Sequence, residues 1–208
     1  MPELTLSLRE QQKGLAKRLI VEAAARVILR SGVFQFSMQE VADEAGVSLR
    51  TLYRYFPSRE ELLDGVTNEV FNDLRRVGVV PTVPDVDPSA LPEAMARMVG
   101  DAFRITAERA DLGRAWVVIN MVSGTRNTAS RGLDAMVREV VGQVGPHLTT
   151  AELDLVFGVT RYLAGSIAWK VMTDEFGMNT EQVAEAVGWA LRTLLGSIES
   201  GGRPSDKN

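Results

Sequence analysis

Apolar residues recur at helical spacing along almost the whole chain, in stripes cut by turn-forming residues. Recurrence at i, i+3, i+4 and i+7 marks one face of an α-helix. Between Glu10 and Ser31, Leu15, Leu19, Ala23 and Val27 follow such a face, and Ile20, Ala24 and Ile28 widen it. A helix over Arg59 to Arg76 buries Leu62, Leu63, Val66, Val70, Phe71 and Leu74. The stretch VVPTVPDVDPSALP, residues 79–92, holds four prolines and reads as an extended or turned linker. Downstream, one helix starts at Ser89 or Pro92 and reaches Glu108 with Met95, Met98, Val99, Ala102 and Ile105 inward. A second runs from Asp111 towards Gly124, and a third from Thr125 or Asn127 to the Gly145-Pro146 stop. A fourth runs from Thr149 or Thr150 to about Glu175, closed by Gly177, and a last from Asn179 or Thr180 to about Glu199. No alternating strand pattern appears. The expectation is an all-α protein of about nine helices with a disordered polar tail at 201–208.

The most specific segment is Ser37 to Phe56, SMQEVADEAGVSLRTLYRYF. It reads as two short helices joined at Gly46, where the turn needs a positive φ that glycine adopts without steric cost. Val41, Ala42 and Ala45 form the inner face of the first helix, and Ala42 is small because the helices cross there. Ser37 and Glu40 form a capping box, Ser48 caps the second helix, and Pro57 ends it. Ser58 and Glu61 form a further box for the next helix. The second helix displays Leu49, Arg50, Thr51, Tyr53, Arg54 and Tyr55 around an inward Leu52. Arginine, threonine and tyrosine suit a helix lying on phosphates and base edges.

The ordered combination GVFQFSMQEVADEAGVS and TLYRYFPSREEL closely resembles the TetR family of bacterial transcriptional regulators. The likeness runs from about Lys17 to Val66, roughly a quarter of the chain, and the remainder agrees only in length and helical character. The resemblance implies a three-helix DNA-binding domain at 1–58 and an effector-binding and dimerisation domain at 59–200, joined by the helix at 59–76. It implies a homodimer that grips a palindromic operator and, in the usual case, a repressor released by a small molecule. Helix insertion into the major groove places Arg50 and Thr51 at base edges, with Arg50 suited to a bidentate contact to guanine. Tyr53 and Tyr55 hold phosphates as their family counterparts do, and Arg54 reaches a base or a phosphate. Backbone N–H groups at Ser37 and Met38 bind a phosphate. Arg59 stands where relatives often carry lysine and clamps the flanking backbone; Arg9 and Lys13 also reach it.

Net charge of −4 seems to oppose a polyanion partner, but its distribution removes the objection. Residues 1–59 hold nine basic and six acidic residues, a net of +3, and the rest hold 14 and 21, a net of −7. One basic end on an acidic body suits a protein that offers that end to DNA.

The distal half suggests two further surfaces. An effector site is expected among Met98, Phe103, Trp116 and Asn120, with Met136, Phe157, Arg161 and Trp169. Methionine and tryptophan suit a mostly apolar ligand, the Asn120 amide interrupts an apolar run, and Arg161 is placed to meet an anion or a core acid. A dimer interface is expected on Gly158, Tyr162, Gly165 and Met172, seen as one helical face, and on Gly188, Leu191 and Leu195 of the last helix. These glycines serve equally for packing within one subunit.

With no cysteine there is no disulfide or thiolate zinc site, and neither cofactor nor metal is expected. No apolar run of about 18 residues and no signal layout is visible, so a cytoplasmic protein is the default. No catalytic triad, metal cluster or phosphate loop is apparent, and the single histidine, His147, sits in a corner. The alternative to a regulator is a helical small-molecule carrier without DNA binding, which the intact Arg50, Thr51, Tyr53 and Tyr55 oppose.

Overall fold

The computed structural model describes residues 8–76, 78–79, 82–123 and 128–204. Ten α-helices follow one another: α1 (Leu8–Ser31), α2 (Met38–Glu44), α3 (Leu49–Tyr55), α4 (Arg59–Arg76), α5 (Leu91–Glu108), α6 (Ala110–Ser123), α7 (Thr128–Val144), α8 (Thr150–Leu163), α9 (Ser166–Asp174) and α10 (Thr180–Glu199). The proline-rich linker ends in a short 3-10 turn at Pro88–Ala90 that leads into α5. The N-terminal arm at residues 1–7, the Arg9 side chain, and the proposed starts Thr125 and Asn127 lie outside the described residues.

The chain divides into two compact units: Met1–Asn72 with Arg109–Gly124, and Asp73–Glu108 with Thr125–Asn208. This grouping differs from a boundary at residue 58, because most of α4 and all described residues of α6 go with the first three helices. In the first unit, α6 packs along α1, and Ile20, Val21, Ala24, Val27 and Ile28 of α1 are buried. The expected stripe therefore needs correction at its start: Leu15 and Leu19 are exposed, and burial begins at Ile20.

In the second unit, α5 and α10 pack antiparallel. Glu93 faces Arg192, Ala96 faces Gly188, Gly100 faces Ala184 and Arg104 faces Glu181, so the register descends steadily along α10. Small residues in the middle of this seam let the helices approach, while Val187, Leu191, Leu195, Met95 and Val99 fill its flanks. The Arg104 guanidinium makes three hydrogen bonds to the Glu181 carboxylate, and Arg104 in turn holds that carboxyl below the usual glutamate range.

Two expectations are corrected here. The single helix drawn from Thr150 to Glu175 is two, because Gly165 has an extended backbone (φ −89, ψ 149) and starts α9 after α8 has closed at Ala164. Part of the tail is also fastened: Arg203 donates to Glu152 at 3.0 Å and to the His147 carbonyl at 2.8 Å. Residues 205–208 lie outside the described residues.

Candidate nucleic-acid interface

The reading head is built by local hydrogen bonds that satisfy the free N–H groups of two very short helices. Ser37 Oγ accepts from the Glu40 N–H at 3.1 Å, and Glu40 Oε2 accepts from the Ser37 N–H at 2.7 Å. The bonds from Ser37 hold the Glu40 carboxyl below its ordinary range. Gly46 has φ +66 and turns the chain into α3. Ser48 Oγ then accepts from the Thr51 N–H at 3.1 Å. A carboxylate of α2 anchors the pair of helices: Glu44 accepts from Arg26 at 2.8 Å and from Arg30 at 3.3 Å, both on α1. The Arg26 bond is the main reason the Glu44 carboxyl titrates low.

Beneath α3, Leu52 and Phe56 are buried. Phe56 lies against Gly65 of α4: a Cβ built on Gly65 would stand 2.5 Å from Phe56 Cε1. The Lys17 ammonium lies over that ring, 5.4 Å from its centroid. Outward, Arg50, Tyr53 and Arg54 are exposed, and Leu49, Thr51 and Tyr55 are half-buried. Arg50 and Arg54 stand one turn apart, so both point from the same face of α3. Arg54 also stacks over the Tyr55 ring at 5.3 Å.

Two predicted contacts carry other bonds. Thr51 Oγ1 lies 2.9 Å from Ser48 Oγ, so that hydroxyl is already part of the cap. The Arg59 guanidinium lies 4.0 Å over Phe36 and donates to the Val33 carbonyl, which fastens the start of α4 to the loop after α1. Ser37 is exposed and Met38 half-buried at the start of α2. Lys17 and Gly65 were missed as parts of the head. The helical spacing of Gly65 from Leu62 and Val66 held the only hint.

The profile of the bacterial regulatory proteins of the tetR family matches residues 20–66, which span this arrangement except for Lys17. Over these residues the chain is similar to the tetR family. Within that match, the α2–α3 unit has the form of a helix-turn-helix. The chain is 31% identical over 119 residues to the HTH-type transcriptional regulator BetI of Agrobacterium fabrum, covering 57% of this chain and 56% of that one. It is 34% identical over 87 residues to the nicotine-responsive transcriptional repressor HdnoR of Paenarthrobacter nicotinovorans, covering 42% of this chain and 43% of that one. The chain thus spans about half the length of these relatives. Among solved structures, GusR of Salmonella enterica shares the fold with TM-score 0.61 at 19% identity, over 96% of this chain and 100% of that one. A TetR-like regulator from Rhodococcus sp. RHA1 does so with TM-score 0.59 at 15% identity, over 89% and 96% of the two chains.

The expected effector residues fall in both units. Trp116 and Asn120 belong to the first and the other six to the second. Phe103, Met136 and Trp169 are buried core, while Met98 and Phe157 are half-buried, with Arg138 stacked 4.2 Å from the Phe157 ring. Arg161 pairs with Asp134 at 2.7 Å, so its charge is answered by a half-buried acid of the chain. Asn120 Nδ2 donates to the Trp116 carbonyl one turn earlier at 2.8 Å, a bond internal to α6. Trp116 meets Phe71 edge-on with ring centroids 5.3 Å apart. Its indole N–H is buried and has no hydrogen-bond partner among the described residues.

The expected dimer residues separate likewise. Gly188, Leu191 and Leu195 are buried within the chain, and Gly188 sits on Ala96 of α5, so this part of the surface is spent on internal packing. Gly165 is buried at the α8–α9 break, and the break removes the shared face assumed for Gly158 and Gly165. Met172 is half-buried, whereas Gly158 and Tyr162 are exposed on α8. Leu155, Val159 and Tyr162 of α8 are 62%, 52% and 54% exposed, and Trp189 of α10 is 66% exposed. Leu155, Val159 and Tyr162 follow the i, i+4, i+7 rule and were legible as a second apolar stripe beside Val156 and Thr160.

Proposed function

We propose that this protein is a dimeric repressor that holds a palindromic operator and releases it when a small, mostly apolar effector binds. The observation that carries the reading is the outward face of α3, where Arg50, Tyr53 and Arg54 stand exposed on a helix whose other side is packed and capped. An exposed arginine at the N-terminal end of a recognition helix is suited to guanine O6 and N7 in the major groove. Ser37 and Met38, with Tyr53 and Tyr55, supply backbone-phosphate contacts in this reading. Selection of duplexes from a random pool tests it. Recovery of an inverted repeat with half-sites about 34–36 Å apart, or a multiple of that, is expected. Recovery of no preferred sequence at moderate salt removes the operator proposal and leaves the carrier.

Dimerisation is assigned to the exposed apolar face of α8 and α10. Three large side chains on one helix stripe, with Trp189 on α10, form the kind of surface that a second copy covers. The exposed Gly158 lies within that stripe and permits close helix approach. Exchanging Leu155 and Val159 together for aspartate is expected to halve the mass seen by sedimentation while helicity persists. A wild-type mass equal to one chain, or a double variant that keeps twice that mass, rules this surface out.

The effector reading centres on Trp116. A buried indole donor left unpaired costs free energy that a ligand acceptor can recover. The preferred effector is therefore uncharged, largely apolar, and carries a carbonyl or ether oxygen. For a compound of this class that loosens operator binding, Trp116→Phe is expected to weaken its affinity by about 1 kcal/mol, roughly fivefold. Equal affinity for both proteins in a fluorescence titration separates Trp116 from the effector.

A further inference from the structure

A partly buried ion-pair cluster joins α1, α4 and the residue that precedes α6. Arg109 is the single residue between α5 and α6. Its Nη2 lies 2.8 Å from Glu22 Oε1 on α1, and its Nη1 lies 3.4 Å from Glu69 Oε1 on α4. The side chains of Arg109, Glu22 and Glu69 are 26%, 38% and 11% exposed, so this is not a surface pair fully screened by water. Asn72 Nδ2 adds a long bond to Glu69 Oε2 at 3.5 Å.

The position of this cluster in the chain is informative. The polypeptide passes from the first unit to the second between Asn72 and Asp73, and returns between Glu108 and Arg109. Glu69 stands one turn before the first crossing, and Arg109 stands at the second. Glu22 ties both to α1. One turn further along α1, Arg26 and then Arg30 bind Glu44 of α2. Two sets of charge-assisted contacts, one turn apart on α1, thus tie that helix to the chain crossings on one side and to the helix preceding α3 on the other.

We propose that Arg109 is a positioning residue that sets the orientation of the reading head through Glu22 and Glu69, and that movement of the α5–α6 turn is passed to α1 by this cluster. The inference rests on the operator reading above and names its coupling element. A guanidinium held by two carboxylates from different helices fixes their relative placement more firmly than either pair alone, because ordering the arginine for one bond lowers the entropy lost in making the other. A displacement of α5 reaches Arg109 through one peptide bond. Either carboxylate contact must then move with it or break, so the position of α1 is sensitive to that turn.

The test uses the full chain and a palindromic duplex selected by the wild-type protein, together with duplexes carrying one base pair more or fewer between the half-sites. Arg109→Gln is expected to reduce the preference for the native spacing about three- to tenfold, whereas Arg109→Lys keeps most of it. Glu22→Gln should resemble Arg109→Gln, and the double variant should be no worse than either alone. A role in stability alone would lower affinity for all spacings equally. Hydrogen exchange of the DNA-free proteins supplies an independent readout. In Arg109→Gln, amides of α2 and α3 should exchange about three- to tenfold faster while those of α10 stay unchanged. Wild-type spacing preference in Arg109→Gln, or additive losses in the double variant, overturns the proposal. If the wild-type protein selects no duplex, the operator reading fails, and unchanged exchange in α2 and α3 overturns the positioning role separately. Should Arg109→Gln not fold, Glu22→Gln decides the question on the same two measurements.

Discussion

Arg50→Ala is expected to weaken operator binding by about 1–3 kcal/mol per half-site, roughly 5- to 150-fold, and to relax base preference where Arg50 reaches. In a twofold complex the loss occurs in each half-site, so about 2–6 kcal/mol separates wild type from variant on a symmetric duplex. The size follows from what Arg50 is free to do. It is exposed near the N-terminal end of α3, where a side chain projects towards base edges. Its fork can pair both guanine acceptors at once, which lysine cannot. Since Arg50 is exposed, the melting temperature should not change. The comparison with Tyr53→Phe is informative: loss of a neutral phosphate contact weakens all sequences alike and leaves the salt slope unchanged, since no cation is removed. Gel-shift titrations on the selected duplex and on versions altered at each base pair measure both effects. If Arg50→Ala binds the selected duplex as wild type does, α3 is not the reading helix.

The second large effect concerns stability. Phe56→Ala is expected to cost about 3–5 kcal/mol, the range for removing a buried aromatic ring and leaving its space unfilled. Such a loss is a large share of the total stability of an ordinary domain, about 5–15 kcal/mol. Phe56 closes α3, and its ring meets both Lys17 of α1 and Gly65 of α4, so one side chain joins three helices. The complementary change is Gly65→Ala. A methyl there would stand 2.5 Å from a ring carbon, so the buried ring must shift. Overpacking of this kind costs about 1–3 kcal/mol, offset in part by the better helix propensity of alanine, about 0.5–1 kcal/mol. Joining Gly65→Ala with Phe56→Leu should be less harmful than the two losses added, because the smaller side chain vacates the contested space. Urea unfolding followed by circular dichroism provides the numbers. An unchanged midpoint for Phe56→Ala would mean that the head does not depend on this ring.

Legibility followed the range of the interactions. Ser37 with Glu40, Ser48, and Gly46 act within three or four residues, so their roles were readable from spacing, and the same bonds are present in the structure. The position of the α5 start after the prolines was readable for the same reason. Side chains whose partners lie far along the chain were read less well. Arg59 was assigned to DNA, yet its guanidinium lies on Phe36. For Arg161 the local pattern leaves a ligand anion and an acid of the chain equally open, and Asp134 is the partner. Leu191 and Leu195 looked available for a second copy because nothing in the local pattern says that α10 lies along α5.

By itself the sequence determined the helical class, the capped helix-turn-helix and the residues that α3 turns outward. Periodicity and capping are rules of neighbouring residues, and neighbours are written next to one another. Only the tertiary structure decided which apolar stripe is consumed inside the chain and which stays open, and where Arg109 finds its two carboxylates. Those outcomes depend on how distant helices meet, and pairing over 40 or 87 residues leaves no periodic mark on the chain.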